Sequence, residues 1–428
     1  MFMSRLIILC GAILGIALPF VIFGADNCRN PDTYYSKYRD FQAVQTFVNQ
    51  RRIYPLHDKK KEFRLTGDVR ANYFFRRETQ DGVNLRGHGA VNAAGLPIPQ
   101  HTYETEFNLR FDYRAERSWA YAHLNFDNDW GINGTFKSVR EDPNGLFGSG
   151  FCNDICLKRC YLGYMLLECP KVYTLSVEIG RFPLNFIFES YDEFRNRFDG
   201  IYFKYSRNIK PSSNFYIKGG PFVVDSRVNH FAFVFETGFL DFMEWKVDWS
   251  YSFIDWRKLG VNRAFTHDAL GNRFQISQVA VSYDFPKKVF WGKPAQIYGA
   301  WLINSAATRN RFSNFKLANT AWYVGFLIGE VKKKGDWAFE ISYDYVHAQS
   351  IPDTDVSGFD RGNVLGDSFY VNSRGKANYK GLEIETLYAV TDRFSISSDI
   401  VVFSHAINND IGGPHTYNKI EIDFIVAF

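Results

Sequence analysis

The 428-residue sequence predicts an all-β fold, a transmembrane antiparallel β-barrel of about 16 strands, within roughly 14 to 18. Three observations carry that prediction. The C-terminal stretch from Thr416 to Phe428 places Ile420, Ile422, Phe424, Val426 and Phe428 in alternation with Lys419, Glu421, Asp423, Ile425 and Ala427, so one face is apolar and the other mostly polar. The same alternation recurs in segments of about ten residues along most of the chain. Composition agrees: aromatics make up 18% of the residues, with 42 Phe and 25 Tyr, yet the mean hydropathy is only -0.25. The apolar residues are therefore interleaved with polar ones. In lipid only a closed barrel satisfies the backbone of such strands.

The N-terminus supplies the compartment. Arg5 is the only charged residue before Asp26, and the chain from Leu6 to Phe23 is apolar, which reads as a signal peptide over residues 1–25 with cleavage after Ala25. An uncleaved anchor is the alternative, opposed by Pro19, Gly11 and Gly15. No later stretch has the length of apolar sequence that a membrane helix requires. Residues 26–61 form an N-terminal periplasmic segment or partial plug, in which Phe41, Val44 and Val48 are spaced for one side of a helix. The segment is too short for the plug domain of a TonB-dependent receptor. Residues 62–428 are the barrel, expected in the outer membrane of a Gram-negative-type bacterium with the lipid as its first partner. With 50 basic and 46 acidic residues, bulk charge gives no case for nucleic-acid binding.

The strands follow in order. Predicted spans are Phe63 to Phe75, Tyr103 to Arg114, Ala120 to Phe126, a weak one at Gly134 to Arg140, Leu157 to Leu167, Val172 to Ile179, Ile201 to Tyr205 and Phe215 to Gly219. Then come Phe231 to Thr237, Trp245 to Phe253, Val279 to Phe285, Ala295 to Ile303, Ala321 to Ile328, Trp337 to Tyr345, Leu382 to Val390, Phe394 to Ser404 and the terminal strand. In the second span Tyr103, Phe107, Phe111 and Tyr113 oppose Glu104, Glu106, Arg110 and Asp112, with aromatics at both ends of the apolar face, as two lipid girdles require. A soluble sandwich also alternates, but its core cannot accept that many charges. Short connections such as Ala115 to Ser118 and Thr391 to Arg393 alternate with long ones such as Thr79 to Gln100, Arg257 to Asn272 and Gln349 to Asn378, the asymmetry of periplasmic turns and external loops.

A barrel of this size has room for water, whereas one of eight strands is filled by its own side chains. The polar face would then line a hydrated lumen. Arg64, Arg70, Arg76, Arg110 and Arg114 fall on that face and form a candidate basic strip; the alternative is that they are paired with Glu104, Glu106 and Asp112 and select nothing. Gly180 to Gly200 is too mixed for a strand. As an infolded loop it would set Arg181, Arg195 and Arg197 against Glu189, Asp192 and Glu193 and create a transverse field at a constriction; as an outer loop the same residues would be ordinary salt bridges.

Asn319-Thr320-Ala321-Trp322-Tyr323-Val324-Gly325, Lys334-Gly335-Asp336-Trp337, Tyr343-Asp344-Tyr345, Asn378-Tyr379-Lys380-Gly381-Leu382 and Tyr388-Ala389-Val390-Thr391-Asp392 together resemble the C-terminal half of a bacterial outer-membrane porin family, over Lys316 to Phe428. The Gly180 to Gly200 segment and the cysteines also resemble outer-membrane proteins of chlamydia-like bacteria. The first resemblance implies a water-filled channel for passive diffusion of small hydrophilic solutes or ions, and porin-type barrels are commonly homotrimers. No selectivity residue is carried over from the family.

Removal of Cys10 with the signal leaves Cys28, Cys152, Cys156, Cys160 and Cys169, an odd number in an oxidising compartment. A loop disulfide from Cys152 or Cys156 to Cys169, together with intermolecular disulfides, is the expectation, and it supports a second functional reading as a disulfide-crosslinked structural outer-membrane protein. The cysteine spacing matches no familiar metal pattern, and no metal or cofactor is expected. Asp353, Asp355, Ser357 and Gly358 match the first positions of a calcium loop, but Val364 stands where the bidentate Glu belongs. Catalytic motifs are absent, and Ser404 and His405 would point to opposite faces of a strand, so an enzyme is not expected.

Overall fold

The computed structural model describes residues 44, 56–58, 61–90, 99–129, 154–169, 172–184, 188–194, 197–210, 213–226, 229–242, 245–258, 273–286, 289–309, 315–352, 355, 359, 377–410 and 413–428. Its strands are β1 (Leu56–Asp58), β2 (Lys61–Gln80), β3 (Val83–Asn84), β4 (His101–Arg114), β5 (Ser118–Asp129), β6 (Asp154–Cys169), β7 (Tyr173–Pro183), β8 (Arg197–Lys210) and β9 (Ser213–Asp225). They continue as β10 (His230–Leu240), β11 (Val247–Lys258), β12 (Gln275–Phe285), β13 (Ala295–Asn304), β14 (Thr320–Gly329), β15 (Trp337–Val346), β16 (Tyr379–Ala389), β17 (Phe394–Ala406) and β18 (His415–Ala427). The 3-residue β1 and the 2-residue β3 are short additions paired to β2. The remaining strands form a closed ring of 16, each antiparallel to the next, with β18 returning to β2 along Ala427↔Asp68 to His415↔Gln80.

Closure uses the end of the chain. Phe428 and Gly67 exchange backbone hydrogen bonds of 2.9 and 3.0 Å. The Phe428 ring lies over Gly67, where a Cβ would stand 2.8 Å from it, and stacks on Phe107 at 6.2 Å. The terminal aromatic thus fills the space that a missing side chain leaves.

Period-two alternation sorts the two faces as expected. Leu162, Ile179, Ile201, Trp301, Val324 and Phe424 are exposed on the outside, forming the apolar belt that lipid requires. Asp68, Asn108, Glu236, Glu340, Asp344 and Lys419 are buried on the inside. Tight turns join strands at one end. One is held by Ala115 N–H donating to Ser118 O at 2.8 Å, another by the Asp336 carboxylate, which accepts the Lys332 and Lys333 N–H groups at 3.0 Å each.

Several boundaries differ from the sequence reading. Strand β2 runs to Gln80 rather than Phe75, and β7 and β8 extend to Pro183 and back to Arg197. Gly180 to Pro183 and Arg197 to Gly200 are therefore paired strand ends, because their backbones continue the β7–β8 ladder whatever their side chains. The weak span at Gly134 to Arg140 lies outside the described residues, as do the signal segment and most of the stretch before the barrel. Val44 is buried among Val331 and the inward positions Ala338, Leu387, Ala389, Ile425 and Ala427, at the end of the ring that carries the tight turns.

The cysteine expectation is corrected. Cys160 and Cys169 are free thiols. Cys156, Cys160 and Cys169 all belong to β6, and at about 3.3 Å per residue Cys156 and Cys169 lie roughly 40 Å apart along it. No disulfide spans that distance. Cys152 lies outside the described residues.

Candidate channel constriction

The lumen is not lined by charge throughout. On the inward faces of β7 to β14, toward the end with the long connections, Phe182, Tyr202, Phe222, Val234, Ile254 and Trp256 form one buried apolar cluster. Strand β10 shows the signal for it: His230–Leu240 reads HFAFVFETGFL, apolar on both faces for most of its length. A strand buried on both sides needs something to cover the second face.

The cover is the chain between β7 and β8, which folds into the barrel. Leu184, Phe188 and Phe194 are fully buried in the apolar cluster, and the Phe188 ring lies 6.2 Å from Tyr202, 6.3 Å from Phe222 and 5.3 Å from Phe194. Tyr191 reaches the opposite side, stacking on Tyr298 at 4.3 Å and lying 5.2 Å from Tyr323. Hydrogen bonds then pin each end. Glu189 N–H donates to Glu236 Oε2 at 2.7 Å, and Gln278 Nε2 donates to Glu189 O. The Tyr191 hydroxyl donates to Glu340 Oε1 at 2.7 Å, an oxygen that also accepts the Tyr298 hydroxyl. Tyr379 O–H donates to Asp192 Oδ1 at 2.9 Å, and Phe194 N–H to Asp355 Oδ2 at 3.0 Å. The loop is thus fixed to wall strands from β8 to β16. Phe194 is held at φ 71°, a conformation unfavourable for a bulky residue, by these contacts.

Gly325 makes the anchor fit. A Cβ there would stand 2.2 Å from the Tyr298 ring, so the glycine provides the space in which Tyr298 holds both Tyr191 and Glu340. Between the loop and β8 to β14 lies a small recess of about 50 Å³, with Glu189, Lys204, Lys218, Asp248, Tyr298 and Tyr323 among its lining. Lys218 is bound to Glu236 at 2.8 Å and lies 5.7 Å over the Phe188 ring.

The sequence-predicted residues divide. Glu189, Asp192 and Glu193 lie in the infolded loop, with Asp192 and Glu193 buried. Arg181 does not join them. It shares parity with the outward Val177 and Ile179, and its guanidinium pairs with Asp199 across β7–β8 at 2.9 Å on the exposed outer surface. Arg197 is a strand residue opposite Pro183 in register, and Arg195 lies outside the described residues. Strand pairing thus takes Arg181 out of the expected arginine side, because the β7–β8 ladder claims its backbone.

Arg64, Arg70, Arg76, Arg110 and Arg114 occupy inward positions of β2 and β4, and each is engaged. Asp68, fully buried, takes Arg70 Nε at 2.6 Å and Arg110 Nη1 at 2.5 Å. Arg64 pairs with Glu62, and Arg114 with Asp112 at 3.3 Å. Arg76 lies 4.1 Å over the Phe74 ring and donates to Thr102 Oγ1 at 3.4 Å. Lys158 Nζ meets Glu106 Oε1 at 2.7 Å on the same wall. Four of these arginines, Arg64, Arg70, Arg110 and Arg114, are thus paired with carboxylates of the same wall, while Arg76 rests on a ring and a hydroxyl.

Burial pushes the Glu193 carboxyl well above its ordinary range, reinforced by the charges of Asp355 and Asp192. Its Oε1 is buried without a hydrogen-bond partner.

No protein-family model matches the chain, and no curated protein matches it. Among solved structures the chain is similar to OprB of Pseudomonas putida, with 11% identity over 92% of this chain and 99% of that one and a TM-score of 0.49. It is also similar to OmpF of Salmonella typhi, at 11% identity over 88% and 100% with a TM-score of 0.48. A third is the outer-membrane channel DcaP of Acinetobacter baumannii, at 11% identity over 87% and 99% with a TM-score of 0.45. These are bacterial outer-membrane porins; at such identity and superposition they carry no argument about what this chain conducts, and its own strand pairing establishes the barrel.

Proposed function

We propose that the protein is an outer-membrane porin, a water-filled channel through which small hydrophilic solutes or ions diffuse passively across the outer membrane of a Gram-negative-type bacterium. The observation that carries this reading is the loop between β7 and β8, docked by Tyr191, Glu189 and Asp192 across the lumen of a 16-strand ring. A ring of this size is wide enough for water, and an inserted segment pinned to its wall from β8 to β16 narrows the passage. Transport then needs no moving part: the wall sets size and charge limits and solutes follow their gradients. Export by residues 1–25, a narrowing of the periplasmic mouth by residues 26–61 and assembly as a homotrimer belong to the same proposal. The burial of Val44 against inward residues of β15, β16 and β18 supports the second of these.

Single-channel recording of the refolded mature chain in a planar bilayer tests the proposal. Stable conductance steps are expected, and silence from a barrel shown to be folded would overturn it. The structural alternative rests on Cys160, an exposed free thiol on the outer face of β6. It requires that monomer be released from membranes only by a reducing agent.

A further inference from the structure

The apolar belt of the outer wall is interrupted on β5. Two consecutive outward positions there are alanines, Ala120 and Ala122. Register sets Ala120 between Tyr113 of β4 and Leu162 of β6, and Ala122 between Phe111 and Cys160. Ile179 and Val177 of β7 stand beside Leu162 and Tyr164 and continue the far side. Leu162 and Ile179 are 68% and 53% exposed, so the sides rise clear of the sheet while the bottom is methyl groups and backbone. The result is an apolar trough of about 380 Å³, with Tyr113, Ala120, Leu162, Tyr164, Val177 and Ile179 among its lining.

The bottom of the trough is fixed from inside the barrel. Trp119 shares parity with His123 and Asn125, which bond the inward Asn108, and it pairs in register with Gly163. The indole lies against that glycine, where a Cβ would stand 1.9 Å from the ring. Trp119 Nε1–H then donates to Glu178 Oε1 at 2.7 Å. The wall is thus braced behind the alanines, and a preformed groove spares its occupant the cost of ordering it.

Position identifies the occupant. The trough is continuous with the belt of Leu162, Ile179 and Ile201 and opens toward hydrocarbon, where there is no water to fill it. A peptide segment entering from that side would bring backbone polar groups that the bilayer leaves unsatisfied. An alkyl chain brings none. At roughly 30 Å³ for a group of water or methylene size, the space holds about a dozen carbons. One end is marked by Tyr113 and Tyr164, both exposed, close to the tight turn at Ala115 to Ser118, with Tyr164 opposite Ser118 in register. Exposed tyrosines at strand ends lie at the level of lipid headgroups.

We propose that the trough across β4 to β7 is a binding site for one acyl chain of a phospholipid, whose headgroup lies by Tyr113 and Tyr164 at the tight-turn end of the barrel. The site holds its lipid while the rest of the belt exchanges freely. It depends on the barrel lying in a bilayer and not on what the lumen conducts.

The test is native mass spectrometry of the refolded mature chain, freed of lipid in detergent and titrated with dioleoyl phosphatidylglycerol. One lipid per barrel is expected to stay bound under activation that strips all others. In Ala120→Leu the new side chain fills the trough, and affinity for that lipid falls by about tenfold, as for roughly two methylenes kept from burial. Ala71→Leu, the same change on the outward face of β2, is the control with unchanged affinity. Leucine suits a lipid-facing position, and Ala122→Leu repeats the measurement should Ala120→Leu not fold. A ladder of adducts with no preferred first lipid, or equal binding in the trough variant and the control, overturns the site and leaves only the ordinary lipid belt. A wild-type oligomer that keeps no lipid and separates in Ala120→Leu also overturns it, and gives the trough to a second copy of the chain.

Discussion

Asp68 shows how a charge is made tolerable inside this wall. Its two oxygens face Arg70 at 2.6 Å and Arg110 at 2.5 Å, and Asn108 Nδ2 donates to it at 3.0 Å. Removing one member of a buried ion-pair set leaves the others uncompensated, so Asp68→Asn is expected to destabilise the barrel by about 3–5 kcal/mol. A lowered urea midpoint in lipid vesicles checks this, and an unchanged midpoint would show that the network is solvated in the membrane. Arg181→Ala behaves differently. Its pair with Asp199 is exposed on the outer surface, where such pairs contribute about 0–1 kcal/mol, so stability and conductance should both stay close to wild type.

At the scale of one element, the infolded loop is the unit to perturb. Tyr191→Ala removes a ring stacked on Tyr298 and a hydroxyl bound to Glu340. An aromatic-to-alanine change in a packed site costs about 3–5 kcal/mol, charged mainly to loop docking, so single-channel conductance should rise and become noisier while the barrel stays folded. Gly325→Ala is expected to do the same indirectly by displacing Tyr298. Acidity should act on the loop through Glu193. Its carboxyl is raised in the docked loop above the ordinary 4.5, so an undocked loop binds fewer protons. Docking is then fully supported below about pH 4.5 and weakens as pH rises from there toward the docked value. Conductance noise should therefore grow with pH in the wild type and lose that dependence in Glu193→Gln; a pH profile identical in both would sink the assignment. Here the sequence showed only part of the site. The acidic residues 189, 192 and 193 are visible close together, but the groups that hold the loop, Glu236 and Gln278 on Glu189, Glu340 on Tyr191 and Tyr379 on Asp192, come from four other strands.

For the whole molecule, stability comes from closure of the ring and its outer apolar belt, with no part assigned to sulfur. Cys160 and Cys169 are nine residues apart on β6, about 30 Å in an extended strand, and both are free. The double variant Cys160→Ser, Cys169→Ser should keep its unfolding midpoint within about 0.5 kcal/mol of wild type, and gels run without reductant should show monomer. Truncation of Phe428 should do more damage, since that residue bonds Gly67 and stacks on Phe107 where the last strand meets the first. Slower refolding into detergent micelles is the expected result.

The sequence by itself determined the barrel, its approximate strand number and the inside and outside of its most regular strands, because a period of two written in side chains survives any context that keeps the strand extended. It also placed Arg64, Arg70, Arg110 and Arg114 inside. Tertiary structure decided which of those charges cancel, since pairing depends on register between strands far apart in sequence. It decided too that Arg181 faces outward, that Cys156 cannot reach Cys169, and that the β7–β8 loop lies inside. That Glu340, Glu385, Asp399 and Glu421 stand at one level of β15 to β18 became visible only when three registers aligned them, a relation that no single strand contains.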